Sequence, residues 1–229
     1  MKRQFDPAVP ELMDRPQPVS RELEIDLHNL RQLNRYFGSY ALVRHFLRRW
    51  INSGDMLRVL DLATGSGDIP RLIVQHSRAV GASVKVTAVD QQPATLEIAQ
   101  RLSREFDQIQ FVKDDALTFT STEPFDIVVC SLALHHFSDE GAVAVLRRCR
   151  ELSRRYVLVA DLCRSLFTTV GVHLLTGLIF REPMTRVDGR LSAARAFSFS
   201  EMAALARRAG WTNCHHARFR FGRQAIWME

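Results

Sequence analysis

Residues 57–70, Leu-Arg-Val-Leu-Asp-Leu-Ala-Thr-Gly-Ser-Gly-Asp-Ile-Pro, constrain this chain more than any other stretch. The apolar run Leu57, Val59, Leu60, Leu62 carries one acid, Asp61, and breaks into a turn of small residues, Ala63-Thr64-Gly65-Ser66-Gly67, after which a helical pattern begins at once. A near-continuous apolar run marks a strand buried on both faces of a parallel sheet. When such a strand feeds a glycine turn and a helix N-terminus, the carboxyl end of the sheet becomes a place for a nucleotide-like ligand. The glycines let backbone approach that ligand where a Cβ would collide.

The spacing narrows the ligand. A dinucleotide fingerprint needs G-x-G-x-x-G, and counted from Gly65 the third glycine falls on Pro70; a phosphate loop needs Gly-Lys-Ser/Thr, which does not follow. The stretch instead resembles motif I of the class I S-adenosylmethionine (SAM)-dependent methyltransferases, D/E-x-G-x-G-x-G, read here as Asp61-x-Ala63-x-Gly65-x-Gly67 with alanine in place of the first glycine.

Later segments follow in that family's order. Val84 to Asp90 reads as a second strand ending in an acid roughly 20 residues after the glycines, where a carboxylate meets ribose hydroxyls. Asp90 could instead cap the helix that starts near Pro93. Ile109–Val112 is a short third strand, and the following Asp115-Ala116 pair resembles the family's adenine-binding loop, with Asp114 as the competing acid. Phe125–Ser131 is a fourth buried strand running into Leu132-Ala133-Leu134-His135-His136-Phe137, which resembles the segment after strand four in small-molecule methyltransferases. Tyr156–Asp161 is a fifth strand.

Strands alternating with helices predict a parallel sheet covered on both faces. The resemblance implies a Rossmann-like, seven-stranded methyltransferase sheet, mostly parallel with an antiparallel C-terminal strand, capped by N-terminal helices. Residues 1–54 read as an irregular proline-bearing arm and two helices broken at Gly38; residues 55–229 read as the SAM-binding domain. Between the fifth strand and a helix over 199–210 lies an insertion at about 162–197, with an apolar helix over 166–180 and a polar connector over 181–195. The chain closes in two strand-like runs, 213–221 and 223–228, hinged at Gly222.

Composition excludes little. At 229 residues and 46% apolar content the chain can bury one ordinary core. A net charge of +6 permits contact with nucleic acid or anionic lipid without demanding it. Cys130, Cys149, Cys163 and Cys214 show no C-x-x-C spacing, which predicts reduced thiols and a cytoplasmic setting. No apolar leader and no run of membrane-span length is visible.

The family resemblance implies SAM as cofactor and Asp61, Ala63, Thr64, Gly65, Gly67, Asp90, Gln91, Asp115, Ala116, Ser131 and Arg35 as its binding set, Arg35 pairing with the methionine carboxylate or lying solvated on its helix. His136 and His135 are the expected catalytic bases, because imidazole titrates near neutral pH and follows a strand that ends at the ligand crevice, or else they pack under the next helix and shape the pocket. His136 is preferred because it matches the histidine of the Leu-Glu-His run in the quinone-pathway O-methyltransferases that this segment resembles. Asp161 could orient a histidine or cap a helix. No metal is expected, since no matching carboxylate cluster accompanies the two histidines. Arg181, Arg186, Arg190 and Arg195 could grip an anionic acceptor or form a solvated run.

The expected activity is methylation of a small molecule, first of all O-methylation of a phenolic, quinol or polyketide-like hydroxyl. Ring C-methylation, RNA methylation and a non-catalytic SAM-binding role remain as alternatives. RNA is disfavoured because no Asn/Asp-Pro-Pro-Tyr/Phe follows the fourth strand and no RNA-binding module is appended. The helix over 166–180 could serve as a lid over an apolar acceptor, a homodimer face or a shallow membrane contact.

Overall fold

A computed structural model describes residues 2–180 and 182–229. An arm containing one 3-10 turn, Leu12–Asp14, leads to helices α1 (Arg21–Tyr36) and α2 (Ser39–Trp50). The chain then runs β1 (Met56–Leu62), α3 (Asp68–Val80), β2 (Ser83–Asp90), α4 (Pro93–Leu102), β3 (Ile109–Lys113), β4 (Phe125–Ser131), α5 (Asp139–Leu152) and β5 (Ser153–Leu162). It finishes with α6 (Leu166–Leu178), α7 (Pro183–Arg195), α8 (Phe199–Arg208), β6 (His215–Phe219) and β7 (Arg223–Met228).

The seven strands form one sheet in the order β3-β2-β1-β4-β5-β7-β6. β1 to β5 pair in parallel, while β7 runs antiparallel to both β5 and β6. The order reverses between β1 and β4, so a crevice opens outside their carboxyl ends, at the topological switch point where open α/β sheets take ligands. The mostly parallel sheet with antiparallel closing strands is the architecture expected from the sequence.

Two apolar layers fix the sheet. On one face Phe46, Leu47, Trp50, Ile73 and Val74 of α2 and α3 pack on Val59, Val86 and Ile127. On the other, Leu146, Cys149, Met202 and Leu205 of α5 and α8 pack on Leu60, Val128 and Val159. Trp50 stacks on Tyr156 with ring centroids 4.8 Å apart, anchoring α2 to β5. A fully buried Leu is worth about 1.5–3 kcal/mol, so these layers hold the strand ends, and therefore the crevice, in place.

The insertion differs from expectation. The polar connector over 181–195 is the helix α7, and the described residues place Pro183 in its first turn. Its buried face is Thr185, Asp188, Ala193 and Arg195, a mainly polar stripe at helical spacing that a search for apolar periodicity passes over. Arg181 lies outside the described residues. Among the described residues no helix is long and apolar enough to cross a membrane.

Candidate active site

A cavity of about 680 Å³ lies at the carboxyl ends of β1, β2, β4 and β5, walled by the arm, α1 and α6. Ala63, Thr64, Gly65, Asp90, Gln91, Asp115, Ala116, Ser131, His135 and His136 all line it. Backbone strain concentrates here. Ala63 and Leu132 adopt positive φ, 57° and 56°, at the ends of β1 and β4. Non-glycine residues in that region are held only where surrounding structure dictates it, commonly at ligand sites.

The glycine turn is built for close approach. A Cβ on Gly65 would meet nothing within 4 Å, so its open side faces the space for a ligand. Asp90 ties turn to strand: Gly65 N donates to its Oδ2 at 2.8 Å and Gln92 N to its Oδ1 at 3.0 Å. Each oxygen keeps a free lone pair, enough for two hydroxyl donors. Asp90 does not supply the side-chain cap of α4, whose N-cap is Gln92. Asp115 lines the cavity and Asp114 does not; Asp114 Oδ1 accepts from Asp115 N at 2.7 Å and holds the loop.

Three residues expected to touch the cofactor stand back from the cavity. Asp61 is buried beneath the turn, where Thr64 Oγ1 donates to its Oδ2 at 2.6 Å; burial, with Asp68 and Asp90 nearby, raises it to about 8. Gly67 has its open side filled, since a Cβ there would lie 3.0 Å from the Phe111 ring, and its φ of 70° marks it as the hinge into α3. Arg35 is exposed and lies over the Tyr36 ring. The reason is helical phase: Leu23 and Leu27 face inward, which brings Arg31 and Asn34 to the cavity and turns Arg35 away.

Arg31 is the cation that sequence reasoning missed. Its Nη1 is buried with no hydrogen-bond partner among the described residues, and burial lowers its pKa against the opposing pull of Asp68. Asn34 Nδ2 and Tyr40 Oη both donate to Asp68 Oδ2, at 2.9 and 3.0 Å. Asp68 and Asp90 thus place carboxylates at the glycine turn, above an Asp61 that burial keeps mainly protonated at neutral pH. That surface repels a phosphate and suits a ligand with cationic groups, while the orphaned Arg31 nitrogen suits a carboxylate. An amino-acid-bearing sulfonium nucleoside fits this donor set.

Beyond β4, the 3-10 turn Leu134–His136 presents both histidines. Asp161, at the end of β5, accepts from His135 Nδ1 at 2.7 Å on Oδ1, from His135 N at 2.9 Å on Oδ2 and from Leu162 N at 2.7 Å on Oδ1. Burial opposes its charge, but His135 and these bonds hold it below the usual carboxylate range. An ionised Asp161 accepts only, so Nδ1 of His135 carries a proton and Nε2 is the ring nitrogen left outside that pair.

His136 has a different environment. Its Nδ1 donates to Asp14 Oδ2 at 2.6 Å. Burial alone would push it down, but Glu11, Asp14 and Asp161 outweigh that effect and raise it to about 10. At neutral pH this favours the imidazolium and disfavours His136 as a base in this closed arrangement.

Glu11 and Asp14 were invisible to sequence reasoning because they come from the arm. Glu11 Oε1 and Oε2 lie 3.8 Å from Nε2 of His135 and His136 respectively. These three residues could supply ligand atoms to a metal, so the carboxylate judged missing from the sequence is present. The His136 imidazolium already supplies positive charge there. The arm is held by α7: Asp188 accepts from Leu12 N and Met13 N at 2.7 and 3.0 Å, and Ser192 Oγ donates to Glu11 Oε1 at 2.9 Å. Arg3 reaches the far side, donating to the carbonyls of His135 and Phe137.

Two arginines of the insertion are bonded elsewhere. Arg190 Nε donates to Thr176 Oγ1 at 3.2 Å, Arg195 binds Asp6 O and Val9 O in the arm, and neither they nor Arg186 line the cavity.

Comparison with known proteins agrees with the geometry. Residues 59–155 match a family described as a methyltransferase domain. The demethylmenaquinone methyltransferase of Thermotoga maritima is 33% identical over 100 residues, 43% of this chain and 39% of that protein. The 2-phytyl-1,4-naphtoquinone methyltransferase of Thermosynechococcus vestitus is 32% identical over 81 residues, 35% of each chain. The chain thus matches well under half the length of these curated relatives. Among solved structures, the plantazolicin methyltransferase BpumL, in complex with a pentazolic desmethylPZN analog and SAH, superposes with a TM-score of 0.66 at 11% identity, covering 91% of this chain and 90% of that one. SibL, described as an S-adenosylmethionine-dependent methyltransferase in its apo form, gives 0.63 at 17% identity over 90% of this chain and 57% of that one. In its strand order, its glycine turn and this matched core, the chain is similar to the class I SAM-dependent methyltransferases and has their fold.

Proposed function

We propose that this protein transfers a methyl group from SAM to a hydroxyl of a small, largely apolar acceptor. The observation that carries the reading is the His135–Asp161 pair, aimed into the same cavity as the glycine turn and Asp90. SAM, when bound, supplies a methyl group already activated on a sulfonium.

The chain's residues divide the remaining work. Asp90 takes the ribose hydroxyls, Asp115 and Ala116 border the adenine, and Arg31 takes the methionine carboxylate in place of Arg35. Asp161 holds His135 in the tautomer whose Nε2 accepts the acceptor's hydroxyl proton as the oxygen attacks. A positioned base of this kind is worth about 10²–10⁴-fold. Orientation in a closed cavity contributes more, up to roughly 7–11 kcal/mol. The His136 imidazolium adds positive charge beside the oxygen that becomes anionic. Phe167, Val172, Leu174 and Leu175 of α6 line the cavity, which supports a lid role for that helix and an acceptor with apolar bulk.

The names of the curated relatives put quinols first among acceptors to try. The test is methyl transfer from labelled SAM to a panel of quinols, phenols, hydroxybenzoates, amines and RNA, with S-adenosylhomocysteine (SAH) binding measured by calorimetry on the same sample. Label in a phenolic ether supports the reading. Label on ring carbon moves the reaction to C-methylation, label in RNA overturns the acceptor class, and failure to bind SAH overturns the cofactor.

A further inference from the structure

The cavity holds a second arginine besides Arg31. Arg223, the first residue of β7, is 8% exposed and lines the cavity beside Leu162, its partner across β5. Its Nε donates to Ser39 Oγ at 3.0 Å, a contact made by the buried first residue of α2. Its terminal nitrogens make no hydrogen bond among the described residues. Asp161 is the carboxylate that acts on it electrostatically, yet both Asp161 oxygens are already bonded to His135 and Leu162. No carboxylate among the described residues hydrogen-bonds the guanidinium.

Burying a charge without a partner is costly, and here burial lowers Arg223 to about 10. The position is nonetheless rigid. Gly222, at a φ of 65°, packs so closely on Thr168 that a Cβ would fall 2.2 Å from its Oγ1. Gly222 O accepts from Cys163 N at 2.8 Å, which ties the β6–β7 turn to the start of the insertion. With Nε fixed on Ser39, the open edge of the guanidinium keeps one orientation, the geometry that matches a carboxylate in a bidentate contact.

We propose that Arg223 is the anion subsite of the acceptor: the molecule methylated here is an acid, carrying a carboxylate on Arg223 and its reacting hydroxyl at His135. Building on the methyl-transfer reading, this assigns the two cavity arginines to different ligands, Arg31 to the cofactor and Arg223 to the acceptor. The acceptor-gripping role expected of the insertion arginines passes to β7. Around the anion the cavity is apolar, with Phe37, Leu162 and Phe221 nearby in the lining.

The test is binding rather than turnover. Full-length protein is first titrated with SAH; absence of binding here would sink the methyl-transfer reading and not the subsite. The SAH complex is then titrated calorimetrically with 4-hydroxybenzoate and, separately, with its uncharged analogue 4-hydroxybenzamide. Wild type should favour the acid by about tenfold or more, the range of a hydrogen-bonded charge pair. Arg223→Gln should erase that preference and leave SAH affinity unchanged within about twofold, while Arg223→Lys should keep part of it. Melting curves confirm that each variant is folded, and if Arg223→Gln is not, the wild-type ratio and Arg223→Lys decide. Equal affinity of wild type for both probes, or binding of neither, overturns the proposal. So does a loss of SAH affinity in the variants, which would give Arg223 to the cofactor.

Discussion

His136 Nδ1 stands 2.6 Å from Asp14 Oδ2, a bond that closes a loop of 122 residues and brings the arm against the turn after β4. Its strength depends on pH in both directions. His136 is raised from 6.5 to about 10, so its contribution is whole below about pH 6.5 and is lost as pH climbs toward 10. Asp14 is lowered from 3.8, because His136 outweighs its burial, so its contribution is present above about pH 4 and is lost as pH falls through the lowered value. Wild type should therefore exceed Asp14→Asn in Tm most between about pH 4 and 6.5, with the difference closing by about pH 10. Melting curves across that range check it, and a constant difference would show that the ion pair is not what holds the arm.

Removing the orienting carboxylate tests the base. Asp161→Asn can donate to Nδ1 of His135 and so favour the wrong tautomer, as the general logic of histidine–carboxylate pairs predicts. Methyl transfer should fall by about 10²- to 10⁴-fold with SAH affinity nearly unchanged. His136→Gln, which keeps a donor toward Asp14, should lose far less. If the two variants change places, His136 is the base after all.

The cofactor set gives a sharper contrast. Asp90→Ala removes two acceptors for ribose and the anchor of Gly65 N, and should weaken SAH binding by about tenfold or more. Arg31→Met should weaken it comparably, whereas Arg35→Ala should leave it within about twofold. Calorimetry on the three variants settles which face of α1 reads the ligand.

Stability offers an independent check on the β6–β7 turn. Gly222→Ala places a Cβ against Thr168 and requires alanine at positive φ, so it should cost about 1–3 kcal/mol. Thr168→Ala in the same chain should restore part of the loss by removing the Oγ1 clash. Chemical denaturation of both variants measures it.

The strands were legible because buried parallel strands are short apolar runs, and Phe125–Ser131 coincides with β4 to the residue. Cavity-lining residues near strand ends were legible for the same reason: Ala63, Asp90 and Ser131 lie at a strand tip or one step past it, and Gly65 and His135 three and four residues past one. Arg31 was recoverable, since the inward phase set by Leu23 and Leu27 already excludes Arg35. Glu11 and Asp14 were not, because a proline-bearing arm has no period to say where it lands. Arg223 was hidden by its place at the start of a strand whose neighbours had to be known first. Asp188 and Ser192 were hidden by a helix buried through polar groups.

The first twenty residues contribute no strand and little of the sheet's apolar layers, yet Glu11 and Asp14 form one wall of the cavity. Expression design inherits that fact. A chain begun at Arg21 should fold, melt cooperatively and look sound by every bulk criterion while leaving the two histidines open to water and His136 free to lose its proton. A bulky fusion placed directly ahead of Arg3 invites the same outcome, so an inactive preparation of this protein should first be examined at its amino terminus.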